Sequence, residues 1–157
     1  MIKNTFFGLV CMAAFQFGCT QGNKDTAQQL SEVDSVISTR CFVAADGKDT
    51  ADLKVDSLAS GKIKGFLTIN YFEKDKNEGE IDGTFKGDTL FVDYTFKIGT
   101  KNKAVYKNPL ALLRKDGKMV LGVGQIETSL GRSYFVKGKP INFERGRFVF
   151  DPVACKD

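Results

Sequence analysis

The chain has 157 residues, of which 42% are hydrophobic and 27% charged, and its formal net charge is +4. This composition suits one globular domain and excludes an intrinsically disordered chain, which would be less apolar and more strongly charged. The sequence contains no histidine. Nucleophiles of the Ser-His-Asp or Cys-His kind, imidazole acid–base pairs and histidine-ligated zinc or haem sites are therefore excluded within this chain.

The N-terminal 18 residues have the pattern of a secretory signal peptide. Lys3 supplies a positive charge, and an apolar run over 6–15 follows it. This run is too short to cross a bilayer, which needs ~20 apolar residues, but it suits the apolar region of a signal peptide. We therefore predict a signal peptide over 1–18, a tether over 19–37 and a globular domain over 38–157.

Gly18 stands directly before Cys19 at the end of the apolar run, and this pair resembles the lipobox of bacterial lipoproteins. The resemblance implies cleavage before Cys19, acylation of that residue with fatty chains such as palmitate, and a lipid anchor in the cell envelope. Thr20 in place of Asp implies, by the same resemblance, the outer membrane, at its periplasmic or surface-exposed face. The alternatives are a soluble secreted protein, or Cys11 as the acceptor, although Val10 before it is not small.

Cys41 and Cys155 remain once the signal peptide and the anchor are set aside. Outside the cytoplasm, an even number of remaining cysteines most simply indicates a disulfide. A redox-active pair is the alternative, but such pairs are typically spaced Cys-x-x-Cys with an electropositive neighbour, which neither cysteine has. We predict a structural disulfide between the two ends of the domain.

Apolar and polar residues alternate from about Ser38 onward, which is typical of strands with one dry face. Asp-Gly and other short glycine-containing turns separate the alternating runs, as in β-hairpins. The predicted strands are 39–45, 50–58, 62–74, 78–86, 88–98, 104–114, 118–127, 132–137 and 147–154. Before them, Leu30, Val33 and Val36 have helical spacing, which would allow a short helix over 25–35.

These strands predict an all-β fold, because no convincing helical period interrupts them and a parallel βαβ arrangement is therefore disfavoured. An antiparallel meander hides its edges by closing on itself. We expect a small eight- or nine-stranded β-barrel of the calycin or lipocalin type, with a β-sandwich as the alternative. Four glycines suit a sharply coiled barrel wall: Gly65, Gly83, Gly122 and Gly124.

Four segments carry a resemblance to a known family: Cys41-Phe42, Gly47-Lys48-Asp49-Thr50, the run over 71–96, and Cys155 shortly after Phe148-Val149-Phe150. They resemble a family of small, uncharacterised lipoproteins of the Bacteroidetes, which are predicted to be compact β-barrels. The resemblance covers most of 41–155 and is most specific over 71–96. It implies the barrel, the anchor and the disulfide, but no activity.

The sequence offers little catalytic or metal-binding chemistry. The acidic run over 75–80 has Glu80 and Lys86 where a calcium loop of the EF-hand type needs Gly and Glu, so we interpret it as a charged hairpin tip. Its carboxylates alternate with lysines and form a solvated face rather than an acid–base pair. We expect no catalysis, no cofactor and no metal, and also no nucleic-acid binding, because the basic clusters are modest.

We therefore predict a membrane-anchored binding or envelope-structural module. Its partners would be the membrane itself, a small apolar ligand within the barrel, or another envelope protein. The alternative rests on the segment 129–138, which is faintly similar to the paired motifs of membrane-bound inhibitors of C-type lysozyme. That similarity implies that Ser129 and Lys137 contact the active site of a lysozyme.

Overall fold

The computed structural model describes residues 34–156, and every regular element in that range is a β-strand. Alternation of apolar and polar residues produces these strands, and glycine turns end most of them. In chain order the strands are β1 (Val36–Asp46), β2 (Asp49–Leu58), β3 (Lys62–Asn70), β4 (Asn77–Lys86), β5 (Thr89–Ile98), β6 (Tyr106–Lys115), β7 (Lys118–Leu121), β8 (Ile126–Ser129), β9 (Arg132–Phe135) and β10 (Val149–Val153).

Eight of the strands form a closed barrel in the order β1-β10-β7-β6-β5-β4-β3-β2, and all neighbours are antiparallel. The predicted small antiparallel barrel is confirmed, and the alternative sandwich does not form. Strands β8 and β9 pair only with each other. Three predicted features lie outside the described residues: the signal peptide, Cys19 and positions 25–33 of the possible helix. Strand β1 begins two residues before the predicted start of the domain.

The interior of the barrel is filled by side chains from the inward-facing phase of each strand. Among residues 34–156, no polar or charged residue is buried with them. The hydroxyl of Tyr94 donates a hydrogen bond to the backbone oxygen of Leu67 at 3.0 Å. Burial of each large side chain contributes ~1.5–3 kcal/mol. The most deeply buried are Leu53, Leu67, Ile81, Leu90, Leu112 and Phe150.

Glycines on inward positions let neighbouring strands approach closely. A Cβ atom on Gly65 would lie 1.9 Å from the backbone oxygen of Lys54, and one on Gly83 would lie 2.0 Å from that of Phe91. No side chain tolerates such distances, so both positions require glycine in this wall. The predicted role of Gly65 and Gly83 is confirmed, whereas Gly122 and Gly124 lie beyond the end of β7 and outside the wall.

The barrel closes through its shortest strands. β10 pairs with β1 at three positions and with β7 at two, whereas β1 and β2 pair at ten. Cys41 on β1 and Cys155, two residues after β10, form the predicted disulfide across this seam. Arg147, just before β10, donates to Asp46 at 2.6 Å and to Asp49 at 2.5 Å. Side-chain links thus supplement a short backbone ladder.

The chain leaves the barrel after Leu121, so the prediction of a continuous strand over 118–127 is wrong. Residues 122–146, which we call the strap, return across the outer wall at β5 and β6 before the chain re-enters the barrel at Phe148. Ala111 faces outward on β6, yet it is fully buried. The ring of Phe135 meets that of Phe91 edge to face, with centroids 6.5 Å apart. The predicted strand over 132–137 forms as β9, but it belongs to the strap and not to the barrel.

Candidate functional site

The two ends of the barrel differ in what they expose. The proximal rim is formed by Val36, where the chain enters the barrel, and by the turns at 59–61, 87–88 and 116–117. The distal rim is formed by the turns at 47–48 and 71–76 and the loop at 99–105. Because apolar side chains fill the centre, a ligand could enter only a short distance at either end.

A cavity of about 140 Å³ lies at the proximal rim, and we call it the proximal mouth. Strand alternation explains its polar lining. Arg40 lies on the same face of β1 as buried Phe42 and Ala44, and Arg114 lies on the same face of β6 as buried Leu112. Both arginines therefore project into the mouth. The cavity is lined by Ser38, Arg40, Phe42, Val55, Ser57, Phe85, Arg114, Gly117 and Met119.

The two arginines of the mouth have different partners. Arg114 forms an ion pair with Asp88 at 3.1 Å, and its guanidinium lies 4.9 Å from the centre of the Phe85 ring. Arg40 forms no ion pair with any carboxylate among residues 34–156. The Arg114 guanidinium is thus held in place by Asp88 and the Phe85 ring, whereas no carboxylate in the described part of the chain engages that of Arg40.

This arrangement suits an anion attached to a small apolar group. Guanidinium groups bind carboxylate and phosphate through paired, charge-assisted hydrogen bonds. Phe42, Val55 and Met119 supply apolar surface beneath them. The volume is close to that of a cavity of about 150 Å³ that accommodates benzene. Only a group of that size would be enclosed, and the rest of a larger ligand would extend beyond the rim.

The distal rim has a wider hollow of about 570 Å³, lined by two cations, Lys74 and Arg147, and the guanidinium of Arg147 is already paired. Arg147 there binds both Asp46 and Asp49. Asp49 also accepts the backbone N–H of Phe72 at 2.7 Å. That hydrogen bond, together with the one from Arg147, lowers the pKa of Asp49. These groups hold the β1–β2 turn against the residues that lead into β10, so Arg147 has a structural role.

The predicted site residues are widely separated. Ser129 ends β8 opposite Arg132, at the tip of the strap hairpin, whereas Lys137 follows β9 at its base. Cys19 lies outside the described residues. The acidic side chains of β4 point outward from the barrel, and within residues 34–156 no three acidic or cysteine side chains converge as a metal site. That same part of the chain contains no helix long and apolar enough to cross a membrane.

The sequence analysis did not identify Arg40 or Arg114. The sequence does contain a signal for them. Each arginine lies on the inward-facing side of its strand, two residues from the nearest buried residue on that side. A cation on that side is directed into a barrel mouth when the sheet closes. Recognising this requires the strand register and the closure, which join residues far apart in the sequence.

Comparisons with protein-family models, curated proteins and solved structures find no match for this chain. The resemblance to Bacteroidetes lipoproteins therefore stays a prediction.

Proposed function

We propose that this protein is a non-catalytic binding module of the cell envelope, anchored by lipid on Cys19, whose proximal mouth binds an anionic ligand. The anchor is inferred from the signal-like N-terminus and the Gly18-Cys19 pair. The small barrel is a fold compatible with a binding or structural module. The disulfide between Cys41 and Cys155 suits an oxidising compartment, where such bonds persist.

The observation that carries the proposal is the guanidinium of Arg40, which has no carboxylate partner among residues 34–156 and lines a partly open cavity at the rim. A charge held only for solubility would face the outer wall, as the lysines of β3 do. Arg40 instead shares its cavity with Arg114, Ser38 and Ser57. Two guanidinium groups and two hydroxyls around one space supply donors for an anion, while the apolar floor favours a carbon skeleton beside it.

The test is a titration of the disulfide-bonded protein with benzoate, followed by NMR shifts of the amides around the mouth. Benzoate combines a carboxylate with a ring that fits the cavity, and we expect a Kd on the order of 1 mM. Benzyl alcohol has the same ring without the charge. We expect it to bind at least about tenfold more weakly, because hydrogen bonds to charged groups contribute roughly 1.5–3 kcal/mol.

Two arginine variants make the test specific. Arg40→Gln removes the free charge and should weaken benzoate binding about tenfold. Arg132→Gln removes an arginine from the strap and should leave the affinity unchanged. Equal binding of benzoate and benzyl alcohol, or equal affinities for wild type and Arg40→Gln, would contradict the proposal.

A further inference from the structure

The entering chain is fixed to the proximal rim. The carboxylate of Asp34 accepts the backbone N–H of Ser60 at 3.0 Å and also the Ser60 hydroxyl. These hydrogen bonds lower the pKa of Asp34 and keep it ionised. The backbone oxygen of Ser35 accepts the N–H of Ala59 at 2.9 Å. The polypeptide that leads from Cys19 therefore joins the barrel beside the proximal mouth.

The length of the tether alone would not set which rim meets the membrane. Fifteen residue steps separate Cys19 from Asp34 and can span at most ~50 Å. A ten-residue strand is only ~33 Å long, so the tether would allow either rim to approach. An orientation therefore requires an attraction between one rim and the membrane.

The charges of the proximal rim can provide that attraction. Its acidic residues are Asp34, Asp56, Asp88 and Asp116, of which Asp56 pairs with Lys54 and Asp88 with Arg114. Basic residues exceed them in number, and each contributes ~1 kcal/mol near an anionic lipid surface. The basic residues at this end are Arg40, Lys62, Lys86, Arg114, Lys115 and Lys118.

We infer that the proximal mouth faces the membrane that holds the protein, and that Arg40 and Arg114 bind the phosphate of an anionic lipid headgroup there. This inference rests on the proposed anchored binding function. It makes the ligand a component of the same membrane, whose acyl chains stay in the bilayer while its headgroup enters the mouth. Val36 and Ile37, both exposed at this rim, would contact the interface beside it.

The absence of tryptophan from the chain allows a direct test. Val36 at the proximal rim and Val105 at the distal rim are matched, since they are 56% and 59% exposed. The full-length lipidated protein is prepared as Val36→Trp and, separately, as Val105→Trp. Each is reconstituted into vesicles of phosphatidylglycerol or of phosphatidylcholine that carry brominated acyl chains, which quench nearby indole fluorescence.

In phosphatidylglycerol we expect the Val36→Trp fluorescence to be quenched at least about threefold more than that of Val105→Trp. The difference should shrink in phosphatidylcholine, which has no net charge, and on adding Arg40→Gln to the Val36→Trp protein. Equal quenching of the two probes, or stronger quenching of Val105→Trp, would overturn the inference. So would retention of the full difference in phosphatidylcholine or with Arg40→Gln.

Soluble glycerol phosphate separates this inference from the proposed function. If the mouth binds benzoate and glycerol phosphate but Val36→Trp is not quenched, the mouth takes a soluble anion, and the inference fails while the proposed function stands. If neither anion binds, the proposed function fails as well.

Discussion

Leu130 and Asp116 occupy the same position in two hairpin turns, each directly before a glycine. Their φ angles are 50° and 51°, and the glycines that follow also have positive φ, which is the type I′ geometry. Aspartate tolerates this conformation, but for leucine it costs roughly 1–2 kcal/mol. The side chain of Leu130 is fully exposed, so packing against other residues does not offset that cost.

Leu130→Asn should therefore raise the free energy of unfolding by roughly 0.5–1 kcal/mol. The matched change Asp116→Leu should lower it by a similar amount. Urea denaturation of both variants measures the two effects. This account of the strap hairpin would be contradicted if Asp116→Leu were destabilised but Leu130→Asn were no more stable than wild type.

Tyr94 gives the protein a dependence on alkaline pH. Its side chain is 3% exposed, and burial first, then the neighbouring Tyr71 and Glu78, raises the pKa of its phenol. An unfolded tyrosine loses its proton near pH 10, while the folded protein still holds it. The contribution of Tyr94 to stability is thus fully present below about pH 10 and is lost as the pH rises further.

Tyr94→Phe should lower stability at neutral pH by about 1 kcal/mol, through loss of the hydrogen bond to Leu67. Above about pH 10 its free energy of unfolding should fall less steeply than that of wild type, by up to about 1.4 kcal/mol per pH unit. Tyr134 is exposed, so Tyr134→Phe is the control and should leave the free energy of unfolding at neutral pH unchanged. Parallel pH profiles for wild type and Tyr94→Phe would rule out this role.

At the scale of elements, the seam around β10 is the part of the barrel with least backbone pairing. The disulfide between Cys41 and Cys155 and the Arg147 links act across it. These are unequal, because removing a native disulfide costs about 2–5 kcal/mol, whereas exposed ion pairs contribute at most about 1 kcal/mol.

The double variant Cys41→Ser, Cys155→Ser should lose about 2–5 kcal/mol of stability, and Arg147→Gln should lose about 1 kcal/mol or less. In hydrogen exchange, the amides of β7 and β10 should lose protection in the double variant before those of β2 to β5. A uniform loss of protection, or a larger effect of Arg147→Gln, would show that the seam is not the weakest part.

The strap is the region in which the elements of the fold could not be predicted correctly from local sequence signals. The β4–β5 hairpin follows from local signals, since both strands alternate and Gly87-Asp88 lies between them. The departure of the chain after Leu121 does not follow from such signals. Gly122 and Gly124 are needed because Cβ atoms there would lie 2.5 and 2.7 Å from Ile141 and Phe135. Those partners come from later in the strap and are known only once the chain has folded.

At the scale of the whole molecule, the candidate site likewise depends on contacts between residues that are far apart in the sequence. Closure of the barrel was predictable from the alternation and the two late cysteines. The mouth was not, because Arg40 and Arg114 stand 74 positions apart and meet only when β1 and β6 curve around one end. The filled core leaves room for a ligand only at the rims, so the proposed binding site lies at a rim and not in the centre.

Native mass spectrometry of the intact protein, gently extracted from its own membranes, tests the central claim most directly. Wild type and the Arg132→Gln control should carry a bound anionic molecule, and Arg40→Gln should have lost most of it. Wild type without any bound anion, or the same occupancy in all three proteins, would contradict a binding site at the proximal mouth.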